Sequence, residues 1–175
     1  MAWANVQRVE QLVSPAATSK AVTISAAGAG NLLVSALAID KSSGGITIPS
    51  GWTRIGTDYD QTDVSFAYAY FIAAGGETSI TWSWVTSHTG RIFVGEYSGL
   101  TSTPLDQNQR ATSGTTAVTS ISTGTTGTTA QADELAMTFM ASDTMASTET
   151  GRAWTQSFTE VSYATTASAS APGLS

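Results

Sequence analysis

The chain has no cysteine, one histidine and two lysines. Without cysteine there is no disulfide framework, and a single histidine cannot complete a zinc ligand set. The two lysines, Lys20 and Lys41, and a few scattered arginines make no clustered basic surface. Phosphate backbones are bound by such clusters, so nucleic acid is not an expected partner. No apolar run approaches the roughly 20 residues that a spanning helix needs, so membrane insertion is not expected either. Helical periodicity is also missing: no segment sustains apolar residues at helical spacing with capping at both ends.

What fills the chain instead is Ser, Thr, Ala and Gly. Charged residues are 11% of 175, with 13 acids against 7 bases and a net charge of −6. A chain of this length suits one domain, and folding buries about 70% of its unfolded surface without any covalent staple. Strand patterns recur throughout. In "SFAYAYFI", Phe66, Tyr68, Tyr70 and Ile72 share one face and Ala67 and Ala69 the other. In "SITWSWV", Ile80, Trp82 and Trp84 make a dry face opposite Ser79, Thr81 and Ser83. "NLLVSALAI" is apolar on both faces, which places it centrally, covered above and below. "RIFVGEYSGL" is similar, with Gly95 a bulge or a point of close approach. Turn clusters such as "AAGAGN", "KSSGG", "TDYDQTD" and "SHTGR" separate these runs. The fold class expected is all-β: a two-sheet antiparallel sandwich, jelly-roll-like.

The chain also echoes itself. "LLVSALAIDKSSGGITIPSGWT" at 32–53 is matched by "ELAMTFMASDTMASTETGRAWT" at 134–155, with Leu33 answering Leu135 and Trp52 answering Trp154. "KAVTIS" at 20–25 is matched by "TAVTSIS" at 116–122, and "DVSFA" at 63–67 by "EVSYA" at 160–164. Four echoes in one order imply a duplicated half-sandwich within a single domain, 1–175. The first half is about 1–105 and the second about 106–175, the latter incomplete. Convergent strand composition in a Thr/Ala-rich chain is the alternative. The second copy ends before its counterparts of "SITWSWV" and "RIFVGEY". Three remedies are open: a longer natural chain, a fold-back of "VQRVEQLV", or a strand from a neighbouring subunit.

Chemistry is thin on the ground. His88, in "TSHTGR", would have to serve any triad alone, and an exposed loop histidine is the plainer reading. "GEYSG" has its serine off the nucleophile-elbow spacing. "GAGN" at 28–31 precedes a strand rather than following one, so it is not a dinucleotide fingerprint. Glu96, Glu134 and Glu160 are available to a two-carboxylate glycosidase, although acids on exposed strand faces are the default. No catalytic residue and no cofactor is assigned. Asp58, Asp60 and Asp63 in "TDYDQTD" form a candidate calcium set, weakened by the missing glycine and distal glutamate of the helical calcium loop. Trp3, Trp52 and Trp154 flank loops, where rings can stack sugars, although core packing is the expected role of Trp52 and Trp82.

The opening "MAWANVQRVEQLV" lacks the basic and apolar regions of a secretory signal. A composition suited to the outside of cells, made without such a signal, fits a virion component released by lysis. An ordinary cytoplasmic β-protein and a piece of a longer secreted chain are the alternatives. "GNLLVSALAIDKSSGGITIPSGWTRIG", "VSFAYAYFIAAGGETSITWSW" and "GRIFVGEYSGLTSTPLDQ" together resemble a β-sandwich domain of bacteriophage structural proteins and some secreted bacterial proteins. The resemblance covers about residues 28–106 well and the remainder loosely. It implies a decoration, tail or fibre protein in phage, or an accessory module in a secreted protein, and carries over no functional residue. The partners it implies are other virion proteins of capsid or tail, further copies of the chain in a homo-oligomer, and a host surface glycan.

Overall fold

A computed structural model describes residues 3–114, 116, 118–130, 134–142 and 173–174. Its strands are β1 (Ala4–Thr23), β2 (Leu32–Asp40), β3 (Ile46–Thr47), β4 (Thr53–Arg54), β5 (Tyr59–Asp60), β6 (Val64–Ile72), β7 (Ser79–Ser98), β8 (Ala141–Ser142) and β9 (Gly173–Leu174). No helix occurs among the described residues. β1 to β7 form one antiparallel seven-stranded sheet in the order β1-β7-β2-β6-β4, with β3 beside β7 and β5 beside β6. β8 and β9 pair separately.

β2 is the axis of the molecule. It lies between β6 and β7, and Leu32 to Ile39 are all buried. Leu33, Leu37 and Ile39 join Val13, Val22, Ile80, Trp82, Trp84, Ile92 and Val94 in the main core. On the opposite face Ala36 and Ala38 pack with Phe93, and Leu32 and Val34 with Tyr97. Leu135, Met137 and Phe139 cover that second face, so β2 is roofed on both sides. β6 alternates as its sequence requires, but its small face is the drier one: Ala67 and Ala69 are buried while Phe66, Tyr68 and Tyr70 are half-buried.

Two elements differ from the sequence pattern. "SITWSWV" and "RIFVGEYSGL" are one continuous strand, β7, and His88 lies within it rather than in a turn. "VQRVEQLV" and "KAVTIS" are likewise one strand, β1. The two pair along their length, with register irregularities between Asn5 and Gln7 and on both sides of Ala17, the partner of His88. Pro15, which has no N–H to give a ladder, sits at that irregularity. The polar "SHTGR" cluster therefore marks a shift of register instead of a chain reversal. Its consequence is geometric: β2 pairs with residues 90–97 of β7, yet Trp82 of the same strand donates to Ser35 on β2's inner face. The front half of β7 thus lies over β2 while the back half runs beside it. Gly95 is a point of close approach, since a Cβ there would lie 2.8 Å from the Tyr97 ring.

The second half departs further. No strand forms among the described residues of 116–122, and Val118 and Ile121 are 53% and 47% exposed. Isolated small apolar residues among threonines offer too little area to bury. In "ELAMTFMAS" only Ala141–Ser142 is strand, and Leu135, Met137 and Phe139 pack on the first half. "VQRVEQLV" pairs with the back half of β7. Trp154, Glu160 and the 160–164 echo lie outside the described residues.

Candidate functional site

The one buried carboxylate among the described residues is Glu96, fully enclosed on β7. Its Oε1 accepts from the Gly28 backbone N–H at 2.8 Å and from Asn31 Nδ2 at 2.5 Å. Its Oε2 accepts from Gln7 Nε2 at 2.5 Å. Burial pushes the carboxyl pKa up, but the Gln7, Asn31 and Gly28 donors outweigh it and hold the group below its ordinary value. Gln7 also exchanges two hydrogen bonds with the Ser25 backbone, each 2.9 Å. The "GAGN" turn is therefore a carboxylate cradle, and Glu96 ties β1, β7 and the loop before β2 together. Ordinary burial statistics place an unpartnered acid outside, and its three donors are contributed from distant stretches, so the cradle was invisible in the sequence.

A second acid does similar work. Asp60 Oδ1 accepts from Ser65 Oγ at 2.5 Å, Ser43 N at 2.9 Å and Ser42 Oγ at 3.0 Å, and Oδ2 accepts from Ser43 Oγ at 3.3 Å. Burial raises its pKa, and these serine donors more than reverse the shift. Asp58 instead pairs with Arg54. Asp63 uses its backbone carbonyl, which accepts from Lys41 N–H at 3.0 Å. The candidate calcium set is thus dispersed, and no cluster of three metal-ligating side chains occurs among the described residues. The reason is local: Asp58 turns to Arg54 and Asp60 to the serines of the 42–43 loop and Ser65.

The remaining candidates are equally separated. His88 is half-exposed in β7 opposite Ala17. Its carboxylate neighbour is Asp40, whose pKa burial raises more than Lys41 and His88 lower it. Trp82 is fully buried, but Trp52 is only half-buried and stacks on Phe71, the rings 5.9 Å apart. Trp3 is 42% exposed and meets the Tyr97 ring edge-on.

One concavity combines aromatic and polar groups. Phe66, Tyr68, Met137 and Phe139 floor a cavity of about 90 Å³, rimmed by Gln109, Arg110 and Thr123. The Tyr68 and Phe139 ring centroids are 6.2 Å apart. Arg110 Nη1 donates to the carbonyls of Thr57 and Asp58 at 2.7 and 3.1 Å, fixing the guanidinium at the rim. Burial raises the Tyr68 pKa, and the Arg110 charge partly offsets it. The cavity holds no nucleophile beside a base. Ring faces, an amide, a hydroxyl and a cation suit a small polar ring or a carboxylate.

No protein family model matches the chain, and neither does any curated protein or solved structure.

Proposed function

We propose that this chain is a non-enzymatic structural component of a bacteriophage particle, a capsid decoration or tail- or fibre-associated protein, acting through protein–protein contacts. The observation that supports this most is the use made of its acids. Glu96 and Asp60, the carboxylates with the richest environments, have their acceptors taken by donors of neighbouring loops. Such acids stiffen turns and are spent for proton transfer. A threonine- and serine-rich surface poor in lysine agrees with service outside a cell. In this reading the sheet is the first half of a jelly-roll-like sandwich with duplicated halves, made in the host cytoplasm and carried in the virion. Immunogold labelling of purified particles tests it: label at fixed positions is expected, and unlabelled particles beside labelled soluble protein would refute it.

The cavity over Phe66 and Tyr68 favours a second reading, a glycan-binding module of a tail fibre or secreted bacterial protein. A glycan array separates the two. Binding that Arg110→Ala abolishes would select the module, on labelled particles that of a tail fibre and on unlabelled ones that of a secreted protein; a silent array with labelled particles would select the structural component.

A further inference from the structure

β1 pairs with β7 and, among the described residues, with no other strand, so it is an edge of the sheet. An edge presents a row of backbone donors and acceptors that a second strand can take up. From Gln7 to Val13 the register with β7 is unbroken, which keeps this part of the edge regular. Residues 6–12 read Val-Gln-Arg-Val-Glu-Gln-Leu, a run that is self-complementary about Val9. Laid antiparallel against a second copy with Val9 opposite Val9, it sets Arg8 opposite Glu10, Gln7 opposite Gln11 and Val6 opposite Leu12. Twofold symmetry makes each of these pairs twice. Opposite charges and apolar pairs directly across an antiparallel ladder are the favourable combinations.

The faces agree with this register. Val9 and Val13 turn to the main core, and Gln7 reaches Glu96 on the same side. Arg8, Glu10 and Leu12 therefore share the other face. Val6, at the register irregularity beside Gln7, is 51% exposed at the sheet edge. Glu10 lies 4.0 Å from Arg91. Burial raises the Glu10 pKa more than Arg91 and Arg8 lower it. Beyond Val13 the run ends at Pro15, which cannot donate.

We propose that two copies of the chain associate through their β1 edges, antiparallel about Val9, joining two seven-stranded sheets into one continuous sheet. The inference rests on the reading of the chain as a protein that works through protein contacts, and names the first of those contacts. It needs no particle to be tested. Sedimentation equilibrium of the 175-residue chain should give about twice its 18.0 kDa mass. R8E and E10R each place like charges opposite one another, and each should sediment as a monomer with unchanged circular dichroism. An equimolar mixture of R8E and E10R brings a doubly acidic edge against a doubly basic one and should restore the dimer, as should the double variant R8E/E10R. A wild-type monomer at every concentration would overturn the proposal and leave the charges as guards against pairing. Dimers undiminished in both single variants would overturn it equally, by placing the contact elsewhere. A charge-dependent dimer from a chain absent from particles would uphold the edge contact and remove only the particle reading.

Discussion

Trp82 Nε1 donates to Ser35 Oγ at 2.8 Å inside the main core, and Ser35 Oγ donates in turn to the Phe93 carbonyl at 2.7 Å. This relay joins the front half of β7 to β2 and to the back half of β7. Trp84, two residues along the same face, is buried with its Nε1 unpartnered among the described residues. The two indoles thus do different work at similar burial. Trp82→Phe should lose a hydrogen bond of about 0.5–1.5 kcal/mol in addition to ring area. Trp84→Phe loses area alone. Urea unfolding should therefore rank Trp82→Phe as the more destabilised; equal midpoints would show that the relay adds nothing.

Glu96 gives a pH signature. Its folded pKa lies below the ordinary 4.5, so the folded state favours the ionised form. The stabilisation is fully present above the unfolded value and is lost as pH falls through the folded one. Glu10 and Asp40, both raised by burial, act in the opposite sense in wild type and variant alike. Glu96→Gln should cost about 1–3 kcal/mol at neutral pH, since an amide NH2 would face a donor. The deficit against wild type should shrink below pH 4.5. A deficit independent of pH would mean that the carboxylate's charge is irrelevant.

Calcium should not matter to this fold. Asp60's oxygens are already occupied by Ser42, Ser43 and Ser65, and Asp58 by Arg54. Thermal unfolding with calcium and with chelator should give the same midpoint, whereas Asp60→Asn should lower it. A calcium-dependent rise would reinstate Asp58, Asp60 and Asp63 as a site.

Gly90 and Gly95 should tolerate alanine unequally. A Cβ at Gly90 would lie 2.5 Å from the Ala38 carbonyl oxygen and 3.2 Å from Ile39 Cα, both backbone atoms of β2. At Gly95 the nearest atoms belong to the Tyr97 and Phe93 rings, side chains rather than backbone. Gly90→Ala should cost on the order of 1–3 kcal/mol or more, and Gly95→Ala less. The reverse order in chemical denaturation would contradict this packing.

The parts of the fold that the sequence carried are those with local period. Alternation in β6, the dry face of Ile80, Trp82 and Trp84, and the double burial of β2 follow from side chains two apart. Continuity through Pro15 and His88 does not, because it depends on β1 and β7 pairing with each other across distant sequence. The echo misled at 116–122, where composition matched a strand but buried area was lacking. At 135–139 it matched an apolar period whose place is on the first half. Glu96 and Asp60 were visible only as acids; their serine, asparagine and glutamine donors assemble through register and turns.

The most direct measurement of the proposed structural role is quantitative mass spectrometry of gradient-purified phage particles from a lysate in which the chain is made. Peptides of the chain should appear in a fixed, stoichiometric ratio to the major capsid or tail protein and should survive repeated purification. Particles free of those peptides, with the chain confined to the soluble lysate, would contradict a structural role.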